Sequence, residues 1–430
     1  MPSSPLTQEQ IAARRALRRQ RRARRRRLVV GLGVCALVAL AVGVVVGRGG
    51  DGPASAAVTP PAAAADYSPV KRAPAQASPA APTRSRLGSG KPVTLAFGGD
   101  IHFESPIRER LAASPADVLA PIAPVLSRAD VSVVNLETAV TDRGSPAGKE
   151  FTFRAPTSAF DALAGGGVDV ANLANNHGMD YGPVGLRDTL TAGRRAGVPV
   201  IGAGWNDDQA YAPYRTTVNG QRIAVIGATQ VLDDHLIGAW TAGPAKLGLA
   251  SAKDEARLLR AVREARGTSD TVVVFLHWGL ELASCPTAVQ RSLARKLTAG
   301  GADVVVGSHA HVLLGGGRLG KALVAYGLGN FVFYASREAT SQTGVLEVTV
   351  TGRRIDGYRW VPARISGGIP YPLTGSAKAG ALASWKSLRG RYGRRPVHPR
   401  SDLQLASAPA LALPVSGYGI PPEMRAGTQR

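Results

Sequence analysis

Apolar and polar positions along the middle of the chain follow a pattern that predicts strands and helices in turn. Short runs rich in Val, Ile and Leu have the length of strands, and the segments between them have helical periodicity. Strands are predicted at residues 93–97, 131–134, 168–171, 198–201, 222–226, 272–276 and 304–306, and helices at residues 156–164, 183–196, 251–266 and 286–300. Further strands, without helices between them, are predicted at residues 322–326, 331–334, 344–350 and 354–361.

This order of elements predicts an α/β protein with two packed sheets covered by helices. The expected fold is a four-layer α/β/β/α sandwich over residues 93–370. The string Ser251-Ala252-Lys253-Asp254 resembles a capping box at the start of one helix, and Pro286 suits the first position of the next. Residues 371–430 are predicted to hold a docking helix at residues 376–391 and a loose tail.

The first part of the chain predicts a membrane anchor. Residues 28–47 are twenty consecutive uncharged residues, enough for a helix to cross a bilayer of about 30 Å. Residues 1–27 contain ten arginines and one acidic residue, so the positive-inside rule places them in the cytoplasm. Residues 48–92 read as a Pro/Ala-rich linker. We therefore expect a single-pass protein of the cell membrane with its main domain outside. A cleaved signal peptide is the alternative, although its apolar region would be shorter, about 7–15 residues.

Charge changes the interpretation little. The formal net charge is +22, a value typical of proteins that bind nucleic acid. Residues 93–370, however, hold 27 basic and 25 acidic residues, so the excess lies at the two ends. The arginines before the apolar segment are expected to set topology and to meet anionic lipid rather than nucleic acid.

Five of the seven histidines lie in short strings whose composition is typical of metal sites. Most of these strings follow a predicted strand closely, and ligands in open α/β sheets bind at the carboxyl ends of strands. The strings are Asp100-Ile101-His102, Asn135-Leu136-Glu137, Asn175-Asn176-His177, His277-Trp278-Gly279-Leu280-Glu281 and Ser308-His309-Ala310-His311. Such an arrangement predicts a site for two divalent cations held close together.

In this order, and with Asp180-Tyr181-Gly182 and Leu328-Gly329-Asn330-Phe331 added, the strings resemble the CapA family of poly-γ-glutamate capsule-synthesis proteins. That family belongs to the calcineurin-like metallophosphatase superfamily. The resemblance covers residues 93–370 and implies the metallophosphatase type of sandwich. Each string alone is weakly specific, whereas six in this order are strongly specific.

The resemblance implies a role for each residue of the strings. One metal would be held by Asp100, His102, Glu137 and His311, and the second by Glu137, Asn176, His277 and His309. Glu137 would bridge the two ions, and carboxylate with imidazole suits Mn, Fe or Zn. His177 would protonate a leaving group or hold a phosphoryl oxygen, with Asp180 orienting its ring.

Two departures from the superfamily concern the mechanism more than the metal site. The superfamily usually bridges its metals with Asp, whereas this chain has Glu137. Its usual acid after the Asn-His pair is missing, because Gly178 follows His177. Three further residues stay open. Arg154 binds an anionic substrate or only covers the surface, Glu281 orients a histidine or begins a helix, and Asn330 is expected to hold backbone near the site.

The sequence thus favours a membrane-anchored protein of capsule or envelope polymer synthesis, with two metals and possible phosphoester hydrolysis. The alternative is a non-catalytic subunit that assembles or exports an anionic polymer beside other capsule-synthesis subunits. The expected binding partner of the protein is the anionic polymer or a phosphoester substrate. Residues 1–430 contain no P-loop string, so the chain is not expected to be an ATP-using ligase.

Overall fold

The computed structural model describes residues 86–335 and 337–390. Its strands are β1 Val93–Ile101, β2 Val131–Leu136, β3 Ala139–Val140, β4 Arg154–Ala155, β5 Val170–Asn172, β6 Val200–Ile201, β7 Ala203–Gly204, β8 Tyr214–Val218, β9 Gln221–Thr229, β10 Gly248–Leu249, β11 Thr271–His277, β12 Val304–Ser308, β13 Leu313–Leu319, β14 Ala322–Leu328, β15 Asn330–Val332, β16 Gln342–Thr351, β17 Arg354–Ser366 and β18 Ile369–Pro372. Its helices are α1 Pro106–Ala113, α2 Ala123–Ser127, α3 Ala159–Gly165, α4 Gly182–Ala196, α5 Asp207–Tyr211, α6 Ile237–Trp240, α7 Glu255–Thr268, α8 Ala288–Ala299, α9 Glu338–Ser341 and α10 Gly375–Gly390.

The strands form two large mixed sheets. The first sheet has the order β18-β17-β16-β1-β2-β5-β6, and β15 also pairs with β1. The second sheet has the order β13-β14-β12-β11-β9-β8. In each sheet the central strands are parallel, whereas β16 to β18 in the first sheet, and β8 and β13 in the second, pair in an antiparallel manner.

Three clusters of buried apolar side chains fill the spaces between the layers of the molecule. Leu95 and Phe97 of the first sheet pack with Val273 and Phe275 of the second, which makes a core between the sheets. The opposite face of the first sheet packs on helices α1 to α4. The opposite face of the second packs on α7 and α8. Both sheets are thus covered on both faces, which is why β1 and β11 are almost continuously apolar.

The layers run helices, sheet, sheet, helices, as the alternation of elements predicted, and this mixed α/β arrangement is consistent with a metallophosphatase-like fold. The predicted docking helix is also present as α10. Trp385 of this helix stacks on Trp360 of β17, with ring centroids 5.6 Å apart and planes 9° apart. The prediction of a loose tail concerns residues outside the described part of the chain.

The starts of two helices differ from the prediction. Helix α7 is capped by Asp254, whose side chain accepts a hydrogen bond from the backbone N–H of Arg257, so the predicted capping box at Ser251 is wrong. Helix α8 begins at Ala288, after a capping box made by Thr287 and Gln290, and Pro286 therefore precedes it. In both cases a residue nearer the helix supplies the acceptor for the first N–H groups.

The predicted membrane span, residues 28–47, lies outside the described residues. Between residues 86 and 390, apart from Ser336, no helix is both long enough and apolar enough to cross a membrane.

Candidate metal centre

Polar side chains from both sheets meet at the carboxyl ends of parallel strands. Asp100 lies near the end of β1, Glu137 follows β2, and Asn176 lies in the loop after β5. His277 is the last residue of β11, and His309 follows β12. All but the half-buried Asn176 are buried. The strings that the sequence singled out therefore come together in space, although they are spread over more than 200 residues.

Two buried groups share one carboxylate. The first contains Glu137, His277 and His309, and the second contains Asp100, Glu137 and His311. In each group one ligand atom per residue lies within 4.8 Å of the others. Glu137 belongs to both, which is the arrangement required of a carboxylate that bridges two cations.

Asn176 contacts the first group, whereas His102 belongs to neither group. The Asn176 Oδ1 atom lies 2.7 Å from His277 Nε2, and Glu137 Oε1 lies 3.6 Å from the same nitrogen. His102 accepts a hydrogen bond at Nδ1 from the backbone N–H of Glu104, 3.0 Å away. Its ring packs edge-on against Phe333, with centroids 3.9 Å apart. The structure thus brings Asn176 into contact with the first group and places His102 beside an aromatic wall.

Several atoms of the centre are buried without a hydrogen-bond partner among the described residues. They are Glu137 Oε1 and Oε2, His102 Nε2 and His309 Nδ1. A buried polar atom left unsatisfied costs about 1–3 kcal/mol, and more for a charged group. These lone pairs are the ones that divalent cations would engage, and carboxylate with imidazole is a donor set suited to Mn, Fe or Zn. The residues present therefore fit a metal centre.

The electrostatics of the site point in the same direction. Burial raises the pKa of Asp100, and burial together with the Asp100 charge raises the pKa of Glu137 well above its usual range. Burial lowers the pKa of His277 well below its ordinary value and that of His309 to about 3. The imidazoles of His277 and His309 are accordingly neutral, with lone pairs available to a cation, and burial disfavours the charged form of both carboxyl groups.

A second set of contacts holds the ligands. Asn135 Nδ2 donates to Asp100 Oδ1 at 2.9 Å and lies 3.2 Å from His277 Nδ1. Ser308 Oγ lies 3.0 Å from the same His277 nitrogen. Asn330 Oδ1 contacts His311 Nδ1 at 2.8 Å, which is where a residue supporting the site is expected.

The turn that carries His309 and His311 is strained. Their φ angles are +92° and +57°, in a region that residues other than glycine rarely adopt. The backbone is left-handed here, and the His309 N–H donates to Asp100 Oδ2 at 3.1 Å. Such strain is often found at functional sites, where the surroundings enforce it.

His177 and Asp180 form a buried pair beside the ligands. His177 Nδ1 lies 2.6 Å from Asp180 Oδ2, which also accepts the Phe153 N–H at 2.6 Å. The His177 ring stacks on Phe153, with centroids 4.0 Å apart. Burial lowers the pKa of His177 and the Asp180 charge opposes this shift. The pair is thus oriented at one nitrogen, which is the geometry of an imidazole that transfers a proton at the other.

The family described as bacterial capsule synthesis protein PGA_cap matches residues 94–335, more than half of the 430 residues. The chain belongs to this family. The resemblance drawn from the sequence strings is thereby confirmed, and membership is consistent with the calcineurin-like superfamily.

Curated relatives of this PGA_cap chain include two bacillary proteins. The capsule biosynthesis protein CapA of Bacillus anthracis is 30% identical over 303 residues, 68% of this chain and 72% of the relative. The PGA biosynthesis protein CapA of Bacillus subtilis (strain 168) is 29% identical over 286 residues, 65% of this chain and 74% of the relative. A probable polyglutamine synthesis accessory protein of Mycobacterium tuberculosis is 29% identical over 189 residues, 42% of this chain and 50% of the relative.

Two other predicted residues of this PGA_cap chain are less buried than the two groups. The Arg154 guanidinium stands over the Tyr181 ring, 4.7 Å from its centroid. Glu281 is exposed in the turn after β11, and its carboxylate forms a third possible group with His309 and His311. Helix α8 begins seven residues later, so the alternative that Glu281 opens a helix is wrong.

Sequence reasoning missed several residues around the centre of this PGA_cap domain. Asn135 was part of a string, but its contacts to two ligands were not foreseen. Phe153 and Phe333 form the aromatic wall beside His102, and nothing in their local sequence indicates this. Lys149 was missed entirely, because it lies in a loop without periodicity and its partners are distant in the chain.

Proposed function

We propose that this chain acts in the synthesis of a capsule or envelope polymer of the poly-γ-glutamate type, and that it does so by metal-dependent hydrolysis of a phosphoester. The observation that carries the proposal is Glu137, a buried carboxylate common to two ligand groups, with both oxygens free of hydrogen bonds from the described residues. The names of the relatives, capsule or PGA biosynthesis, support the polymer.

Seven residues would hold two divalent cations of Mn, Fe or Zn type. They are Asp100, His102, Glu137, Asn176, His277, His309 and His311. The cations would supply charge to polarise a phosphoryl oxygen and to activate water for in-line attack. Asn135 keeps Asp100 and His277 in place, and Asn330 does the same for His311.

His177 would carry the proton to the leaving group. With Nδ1–H donating to Asp180 Oδ2, Nε2 is the nitrogen that would take up the proton and deliver it. Phe153 covers one face of the ring and limits its rotation. Arg154, at the rim, would bind an anionic part of the substrate if its guanidinium left the Tyr181 face.

We further propose that the domain stands outside the cell, anchored by residues 28–47. The support is the sequence alone: twenty uncharged residues preceded by ten arginines. A polymer made for the envelope would then meet the centre on the side where it is assembled.

A second candidate is a non-catalytic subunit that assists assembly or export of the polymer, together with other capsule-synthesis subunits. The observation in its favour is that the mycobacterial relative is named a synthesis accessory protein. In that case the metals would stabilise the fold or bind the anionic polymer.

Metal analysis of the purified full-length chain, with a panel of phosphate mono- and diesters, separates the two candidates. Two metals per chain and turnover that is lost in Asp100→Ala support hydrolysis. Bound metal without turnover of any ester supports the assembly subunit. A chain that binds no metal at all would overturn both forms of the proposal.

A further inference from the structure

Lys149 is a lysine buried next to the His177–Asp180 pair, in the loop between β3 and β4. Its side chain is only 6% exposed, and lysine is seldom buried unless it is paired. The Nζ atom lies 3.0 Å from Asp180 Oδ1 and 3.6 Å from Asp233 Oδ2. It also donates to the backbone carbonyl of Asn176 and stands 5.3 Å from the centroid of the Trp240 ring.

These contacts leave the ammonium group little freedom. A lysine has three N–H donors, and three protein oxygens surround this one. The indole of Trp240 occupies a further side and favours the charge through a cation–π contact. Lys149 is therefore committed within the protein and is not available to bind a substrate.

The two oxygens of Asp180 have different partners. Oδ2 contacts His177 Nδ1 and accepts the Phe153 N–H, both at 2.6 Å. Oδ1 accepts no directed hydrogen bond from the described residues, so the charge of Lys149 at 3.0 Å is what compensates it. Without that charge, the buried Asp180 carboxylate would be left uncompensated, and turning Oδ1 toward another donor would lower its energy. Such a rotation would disturb the contact to His177.

We propose that Lys149 is a positioning residue for His177. Its charge holds the Asp180 carboxylate in the orientation that fixes the His177 ring, and its hydrogen bond to the Asn176 carbonyl holds the peptide group that joins Asn176 to His177. The inference rests on the proposed function only in its catalytic consequence, because the geometry of the pair can be measured without turnover.

The segment from Asp233 to Trp240 takes part in this arrangement. Asp233 and Trp240 both contact the Lys149 ammonium group. His235 Nε2 lies 3.2 Å from the carbonyl oxygen of Gly148, which ties the same two stretches of chain together. A change in this segment is therefore expected to reach His177 through Lys149.

The test compares Lys149→Met with Lys149→Arg in the metal-loaded full chain. For phenyl phosphate, a poor leaving group, we expect kcat to fall about 10–100-fold in Lys149→Met, the usual effect of losing a partner that orients a functional group. The KM and metal content should change little, and Lys149→Arg should recover part of the rate. Lys296→Met, which removes an exposed lysine paired with Glu255, is the matched control and should keep the full rate.

A double-mutant cycle makes the test specific. Lys149→Met should have no further effect in the His177→Ala background, since the lysine is proposed to act through that ring. The same loss in both backgrounds, or loss of metal from Lys149→Met, would overturn the proposal. If Lys149→Met does not fold, Asp233→Asn removes one partner of the lysine at a half-exposed position and should give a smaller loss with the same dependence on His177.

The orientation of the His177 ring can be measured independently of any hydrolysis. If the wild-type chain turns over no phosphoester, ¹⁵N-histidine NMR of the metal-free full chain still reports on His177, whose signals are identified by their absence in His177→Ala. We expect one tautomer, with hydrogen on Nδ1, in wild type and Lys149→Arg, and a mixture in Lys149→Met. An unchanged tautomer in Lys149→Met would overturn the positioning role.

Discussion

Replacing Glu137 with glutamine is expected to weaken both metal groups at once. Glutamine keeps the shape of the side chain, but it removes the negative charge and turns one ligand oxygen into an N–H donor. Loss of an outer partner of a metal ligand typically costs about 10–100-fold in affinity. Glu137 is itself a ligand in both groups, so the loss should exceed about 100-fold, or ~2.7 kcal/mol, at each.

In the metal-free protein, Glu137→Gln is expected to increase the stability of the fold. Burial and Asp100 raise the pKa of Glu137 well above its ordinary value of 4.5. A group whose pKa is raised by folding contributes stability below its unfolded pKa and loses that contribution as pH rises through the folded value. As pH rises from 4.5 to 8, burial of this carboxyl therefore costs the metal-free wild type an increasing amount of stability, and the neutral amide has no such cost. The Tm of metal-free Glu137→Gln should be higher at pH 8, and the difference should shrink toward pH 4.5.

The assay uses the full-length chain stripped with a chelator. Titration calorimetry with Mn²⁺ or Zn²⁺ gives the affinities, and thermal unfolding with and without metal gives the two stabilities. Glu150→Gln, the same substitution at an exposed position, is the matched control. Wild-type metal affinity in Glu137→Gln would remove Glu137 as the shared ligand. A lower Tm than wild type without metal would refute the account of an uncompensated buried carboxylate.

Three further predictions concern proton release on metal binding, the role of His177 as a general acid, and the membrane topology. Because burial raises the pKa of Glu137, metal uptake should release a proton from this carboxyl over a pH range that extends above the ordinary carboxyl range, and none from His309, whose pKa is about 3; calorimetry in two buffers of different ionisation enthalpy, repeated over a pH series, measures this, and the Glu137 contribution should vanish in Glu137→Gln. His177→Ala should keep its metals and lose about 10²–10⁴-fold in rate on phenyl phosphate but less on 4-nitrophenyl phosphate; an equal loss on both would point to electrostatic stabilisation of the phosphoryl group. An alkaline-phosphatase fusion after residue 92 should be active in cells, and inactivity would count against an outside domain.

The parts of the fold that the sequence predicted well are those with local causes. Strands β1, β2 and β11 are buried on both faces, so their apolar runs are continuous and easy to find. The ligand strings were recognisable because most of them follow such a strand within a few residues. The local sequence shows which residues follow a strand, and parallel strands bring such residues together at one edge of the sheet.

The parts that the sequence did not predict depend on contacts between distant residues. Lys149 becomes a buried ion-pair partner only when Asp180 and Asp233, 31 and 84 positions later, fold against it. Strands β3 and β4 have two residues each, too few for any periodicity. The left-handed backbone at His309 is equally hidden, because a φ of +92° is uncommon for any residue other than glycine and the neighbouring sequence does not indicate it.

The placement of ligands on both sheets has a consequence for how the protein matures during synthesis. Strand β1 lies between β2 and β16, and the residues it pairs with in β16 are made about 250 positions later. Contacts so far apart in sequence favour slow folding, because long loops must close before they form. Glu137 leaves the ribosome well before His277 and His309, so a cation cannot find its full set of ligands until most of the chain has been made. Occupancy by metal would then mark a chain that has been completed and folded.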